Sequence, residues 1–244
     1  MDLQATNPAQ YDSPDLNWGI IGAEDNPTRI FFRAALDELL GQDVLHGRVL
    51  DAGCGVGHLF NWLKDKGVTE VVGIDPSGRN IQIAGERYPS VELHQCTIDE
   101  YAKQAKKKFD YIFVVLVFEH IRDLRQACTD LRGLMHTGGD LYVISGDMDY
   151  HITTGKDIRK NLISIDVVQE LGDGALETRV VRGARHGVET TMYDIVRPTE
   201  HYRTMANEAG FELTYEASFR GPIGMPPELQ APNPMSHGFR FKAV

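Results

Sequence analysis

From residue 48 onward, short apolar runs of strand length alternate with stretches whose apolar positions recur three and four residues apart. The pattern predicts strands at 48–52, 70–74, 91–95, 110–117 and 140–145, with helices at 57–66, 77–87 and 123–136. Alternation of this kind predicts a parallel sheet covered by helices on both faces. Right-handed crossovers would bring the strand ends, at Asp51, Asp75, Thr97 and Val115, to one edge. Ahead of the sheet lie a polar arm containing Tyr11 and Trp18 and an amphipathic helix at 27–40, stopped near Gly41. After residue 146 the alternation breaks. A helix at 156–171 is expected, then strands at 176–183 and 188–197 around Ala184-Arg185-His186-Gly187. A helix from Pro198 to Ala209 follows, and strands at 211–219 and 237–242 flank a loop-rich stretch.

The first predicted strand runs into Asp51-Ala52-Gly53-Cys54-Gly55-Val56-Gly57-His58, an acid followed by three glycines at alternate positions. Glycines there let the backbone turn off a strand and approach a ligand with no Cβ in the way. The second strand, Val71-Val72-Gly73-Ile74, ends in Asp75, a carboxylate placed to accept from ribose hydroxyls. Asp beside Pro76 also suits a helix N-cap, and the two roles are compatible. His58 stands where a dinucleotide fingerprint would have its third glycine, and no phosphate-loop motif is present, so NAD and ATP are disfavoured.

In these residues the chain resembles the class I S-adenosylmethionine-dependent methyltransferases, whose first motif is an acid followed by G-x-G-x-G. The resemblance extends through Asp75-Pro76-Ser77, Phe109-Asp110 with the following strand, Glu119-His120-Ile121 and Gly138-Gly139-Asp140-Leu141, over roughly residues 45 to 146. It implies a Rossmann-like, seven-stranded, mostly parallel sheet with helices on both faces. The last two strands would be an antiparallel finish, and residues 147–197 an inserted cap over the substrate, all within a single domain 1–244 that begins with the arm and helix 1–41. It also implies S-adenosylmethionine as cofactor and S-adenosylhomocysteine as product. Asp51 would orient the methionine amino group, while Gly53 and Gly55 admit the ribose and the aminocarboxypropyl chain. Asp75 and Pro76 would border the ribose, and Thr97 and Ile98 the adenine, with Thr97 replacing the acid many members carry. Val115 would line the methyl group, and Arg29 is a candidate for the methionine carboxylate.

Composition narrows the acceptor. A formal net charge of −10, from 25 basic and 35 acidic residues, disfavours a nucleic-acid partner, whose binding rests on neutralising phosphates. The lysines at 103 and 106–108 read as a solvated helix end. No apolar run is long enough for a membrane span, and three cysteines without a C-x-x-C pair suggest neither a disulfide framework nor a metal site. The absence of a signal-peptide pattern makes cytoplasmic the expected location. The expected reaction is methyl transfer to an oxygen or nitrogen of a small metabolite, with a protein or tRNA acceptor as the alternative. A binding protein without turnover is the reading of another class. The candidate base is His151, just beyond strand five, with Tyr150, Tyr193 and His186 as substrate contacts. Glu119-His120 reads first as a connection into the next helix and second as a base. Substrate identity and oligomeric state stay open.

Overall fold

The structure, a computed structural model, describes residues 4–13, 27–150, 152, 163–182, 190–220 and 234–244. Among them a seven-stranded sheet has the order β3-β2-β1-β4-β5-β10-β9. Its parallel part comprises β1 (Arg48–Ala52), β2 (Glu70–Asp75), β3 (Glu92–Gln95), β4 (Phe109–Val115) and β5 (Met135–Gly146). The finish is antiparallel: β10 (Ser236–Ala243) lies between β5 and β9 (Phe211–Phe219). The helices are α1 (Pro27–Leu40), α2 (Phe60–Asp65), α3 (Gly78–Arg87), α4 (Ile98–Gln104), α5 (Leu124–Gly133) and α6 (Thr199–Glu208).

Strand alternation sorts the core into two layers. Leu50, Ile112, Val114, Leu141 and Val143 face α5 and α6, packing with Leu131, Tyr202 and Phe239. Val49, Phe113, Tyr142 and Ile144 face α1 and α2, packing with Leu36, Leu39, Trp62 and Leu63. The rings of Phe113 and Tyr142 stack at 4.9 Å, with Trp62 edge-on to Phe113 at 5.6 Å. Full burial of each such side chain contributes roughly 1.5–3 kcal/mol. The two layers hold the strand ends, and so the glycine loop, in a fixed frame.

Two expectations are corrected. Residues 163–170, expected as the end of a helix, form β6 (Ile163–Glu170), because Ile163, Ile165 and Val167 alternate with polar residues and are β-branched. Thr97 and Ile98 were expected at the end of the third strand, whose predicted range is 91–95. It stops at Gln95, and Thr97 instead caps the unforeseen α4 through a reciprocal box with Glu100.

β6 pairs with β7 (Leu176–Arg182), which pairs with β8 (Thr190–Val196), in a separate antiparallel sheet. This second sheet takes up part of the predicted insertion. β8 lies against the single turns Gln4–Thr6 and Phe118–His120, which brings the sheet over the binding edge of the first.

Candidate functional site

The loop after β1 turns back through Gly53, Gly55 and Gly57, at φ of +81°, +54° and +85°, where an L side chain is strained. A Cβ on Gly53 would lie 2.3 Å from Val117 Cγ2, so the loop and the end of β4 approach too closely for any side chain. Gly53 and Cys54 donate to Ile74 O at 2.8 and 2.9 Å, locking the loop to β2. The carboxylate of Asp75 accepts at Oδ2 from Gly55 N at 2.9 Å and at Oδ1 from Ser77 N and Asn80 Nδ2, at 2.9 and 3.2 Å. The helix N-cap is Ser77, whose Oγ accepts from Asn80 N, so Asp75 is a bridge between loop and strand. Oδ2 of Asp75 retains lone-pair capacity for a further donor.

Asp51, beside it on β1, is 2% exposed, and its Oδ2 is buried without a partner. Burial, reinforced by repulsion from Asp75, pushes Asp51 up to about 8. Burial also raises Asp75, against the lowering influence of its hydrogen bonds. Two buried carboxyl groups, one with an orphaned acceptor, make a cradle that favours a cation. These are the two positions that the resemblance assigns to a methionine ammonium, at Asp51, and to ribose hydroxyls, at Asp75. Chain reversal at the end of β4 is tight as well: Leu116 sits at φ +56°, the one non-glycine residue in that region among the described residues.

The arm and the second sheet close over this cradle. Ser77 Oγ donates to Asp12 Oδ1 at 2.6 Å, and Arg79 donates to the backbone carbonyls of Asp12 and Ser13. Tyr11, Ile83 of α3 and Met192 of β8 all pack against Val56 of the glycine loop. The Tyr11 hydroxyl is hydrogen-bonded to His120 Nε2, and Asp194 Oδ1 of β8 lies 3.9 Å from His120 Nδ1. Ala5 N donates to Glu177 Oε1 at 2.9 Å and Tyr193 N to Gln10 Oε1 at 2.9 Å, tying the arm to the second sheet.

Placement of the other expected site residues varies. Arg29, 5% exposed, donates to His58 O at 3.0 Å, as Arg33 does, so both guanidinium groups brace the glycine loop. Thr97 Oγ accepts from Glu100 N at 3.2 Å and Ile98 is buried at the start of α4. Val115 is half-buried at the end of β4, and Pro76 is exposed between Asp75 and Ser77. Tyr193 was expected to face the substrate, but its ring packs with Ala5, Leu171, Ala175 and Ile195; the strand's alternation gives the inward places to Met192 and Asp194. Tyr150 is buried beyond β5, its N–H donating to Asp147 Oδ1 at 2.7 Å. His151 and His186 lie outside the described residues.

The pair Glu119-His120 divides its work. Glu119 Oε1 accepts from Gly146 N and Ser145 Oγ, at 2.6 and 2.8 Å, fastening β5, while burial raises its pKa. His120 instead meets Tyr11 of the arm and Asp194 of β8. A second cluster, also not foreseen, joins Asp147, His237 and Ser218: His237 Nε2 is 2.7 Å from Asp147 Oδ2, and Nδ1 is 2.9 Å from Ser218 Oγ. Burial pushes Asp147 up, but the bonds from His237 and Tyr150 outweigh it and hold the carboxyl below its usual range. Its members are up to 90 residues apart in sequence, beyond the reach of any local motif.

Residues 25–216 match the family described as "Methyltransferase domain". The ubiquinone biosynthesis O-methyltransferase of Rhizobium etli is 35% identical over 129 residues, 48% of this chain and 51% of that protein. The human mitochondrial protein of that name is 30% identical over 111 residues, covering 42% of this chain and 30% of its own length. The chain thus spans about half the length of the first of these curated relatives, and less of the second. Among solved structures, a Pyrococcus horikoshii protein matches with a TM-score of 0.67 at 20% identity, covering 98% of this chain and 97% of its own. An S-adenosylmethionine-dependent methyltransferase from Clostridium acetobutylicum matches with 0.63 at 12% identity, covering 92% and 95%. The matching fold, the acid–glycine loop and the paired carboxylates agree, and the chain belongs to the methyltransferase-domain family, with a class I fold built for S-adenosylmethionine.

Proposed function

We propose that the protein transfers a methyl group from S-adenosylmethionine to an oxygen or nitrogen of a small metabolite, with oxygen the favoured atom. The observation that carries this reading is the closure of the carboxylate cradle by the arm and the second sheet, through Tyr11, Asp12 and Met192. Such a roof would wall off the surface of a folded protein or tRNA, which favours a small acceptor. Relatives named as O-methyltransferases support oxygen.

When bound, S-adenosylmethionine supplies an electrophilic methyl group on a sulfonium. The chain's part is then alignment and dryness. Asp51 would hold the ammonium, Asp75 the ribose, and the strained turn at Leu116 the end of β4 against the reacting centre. Alignment of this kind supplies roughly 7–11 kcal/mol without covalent catalysis. The roof would exclude water, and residues 147–197 would serve as a substrate-covering cap.

The test has two stages. S-adenosylhomocysteine titrated by calorimetry should bind and NAD should not. Methyl-labelled S-adenosylmethionine, incubated with a panel of phenols, catechols, carboxylates and amines, should then label a small acceptor. Labelling confined to bulk protein or tRNA would overturn the small-molecule reading.

A further inference from the structure

We propose that the acceptor is an aryl hydroxyl, and that Tyr11 holds its place on His120 until it arrives; this rests on the methyl-transfer reading above. Three segments distant in sequence converge on one imidazole. The Tyr11 hydroxyl meets Nε2, with the two rings edge-on at 5.1 Å and 83°. The Asp194 carboxylate stands 3.9 Å from Nδ1, an atom that makes no hydrogen bond of its own. Tyr11 packs against Val56, as Ile83 and Met192 do, so its phenol belongs to an apolar cluster centred on the glycine loop. Val56 belongs to the glycine loop itself, and His120 follows β4 by five residues, so this phenol occupies the binding edge. A segment of the chain thus already presents a phenol to a base beside the cofactor cradle.

The chemistry of a phenol matches what surrounds His120. The groups facing it are Tyr11 from the arm, Asp194 from β8, Glu119 on its own turn and Asp75 from β2. Three of the four are carboxyl groups, which would repel an acceptor carboxylate. A phenol arrives neutral and protonated, since its ordinary pKa is about 10, and an imidazole nitrogen within hydrogen-bond reach is placed to take that proton. In the step, a lone pair on the phenol oxygen forms the O–CH3 bond. The C–S bond breaks with its electrons passing to sulfur, and the phenol proton moves to His120 Nε2. The imidazolium is held beside Asp194 and later loses the proton to water. For the acceptor to reach Nε2, Tyr11 must withdraw, so the arm and the acceptor compete for one nitrogen.

4-Nitrophenol is a direct probe, because its phenol and phenolate forms absorb at different wavelengths. Titrated near pH 6 into protein saturated with S-adenosylhomocysteine, it should bind with a larger phenolate fraction than it has free in solution. Tyr11→Phe removes the competing hydroxyl while keeping the ring, and should bind the probe several-fold tighter. His120→Gln should still bind S-adenosylhomocysteine but lose the ionisation change. Weaker probe binding in Tyr11→Phe, an unchanged ionisation in His120→Gln, or no probe binding at all would overturn the proposal. Calorimetry with S-adenosylhomocysteine alone keeps the two readings apart: failure there removes the methyl-transfer reading, whereas normal binding without a nitrophenol response removes only this one.

Discussion

Asp51 and Asp75 carry the protein's most consequential electrostatics, because both are buried and neither accepts from a Lys or Arg side chain in the bonds described above. The folded-state pKa of Asp51, about 8 against 3.8 for the free group, means that the cofactor-free protein binds a proton the unfolded chain has already released. Its contribution to stability is therefore most favourable below pH 3.8 and falls as pH rises toward 8. Thermal melts of the cofactor-free protein should show this fall, and Asp51→Asn should flatten it. The same variant should melt several degrees higher at pH 8, by about 1–3 kcal/mol, and bind S-adenosylhomocysteine ten- to a hundredfold more weakly. A lower melting temperature at both pH 6 and pH 8 would show that the carboxylate already has a partner. Gly53→Ala tests the close approach at the loop. With φ at +81° and Val117 Cγ2 2.3 Å from the new Cβ, a loss of about 2 kcal/mol or more is expected in urea denaturation. A loss below about 0.5 kcal/mol would mean that the loop relaxes freely. Asp51, the glycines and Asp75 were legible because each contributes to a local motif. His120 was read only second as a base, and Asp194 and the cluster of Asp147, His237 and Ser218 were not read at all, because their partners meet only after the chain has crossed the sheet.

At the level of elements, the strands and helices of the parallel part were readable from periodicity, since both faces of the sheet are buried and the apolar runs are strong. The missed α4 is instructive. Its signal is the Thr97-x-x-Glu100 box, which a search for apolar periodicity passes over in a seven-residue helix. β6 was misread because residues 163–170 are short and mixed, and a bulge between Val167 and Gln169 interrupts the alternation. The second sheet and the arm act together through Glu177, 1% exposed, which accepts from Ala5 N and from Gln169 Nε2 at 2.6 Å. Glu177→Ala should release the arm, and limited proteolysis within residues 1–26 should become several-fold faster while urea denaturation of the main sheet changes little. Equal cleavage rates in the two proteins would show that the arm is held by other contacts. Hydrogen exchange gives an independent reading of the cap: amides of β6 and β7 should exchange faster than those of β4, and slow when cofactor and acceptor are both present. Protection equal to that of β4 without ligand would argue against a moving cap.

The whole molecule combines an acidic surface with a site that favours a cation. Its formal charge of −10 is expected to assist the approach of a positively charged cofactor and to oppose a polyphosphate one, so added salt should slow S-adenosylmethionine association. Thermal-shift measurements should show stabilisation by S-adenosylmethionine and S-adenosylhomocysteine but not by NAD or ATP. A shift with NAD and none with S-adenosylhomocysteine would contradict the site as described. The attachment of the arm also has a consequence for how the protein is made. Ala5 is bound by Glu177, a residue synthesised 172 positions later, and Gln10 by Tyr193, 183 positions later. At ribosomal rates of about 5–20 residues per second, that gap is roughly nine to thirty-seven seconds. The arm therefore leaves the ribosome long before its seat exists. Through that interval the nascent sheet can assemble with its cofactor edge still open, and the roof is laid only after β8 has emerged.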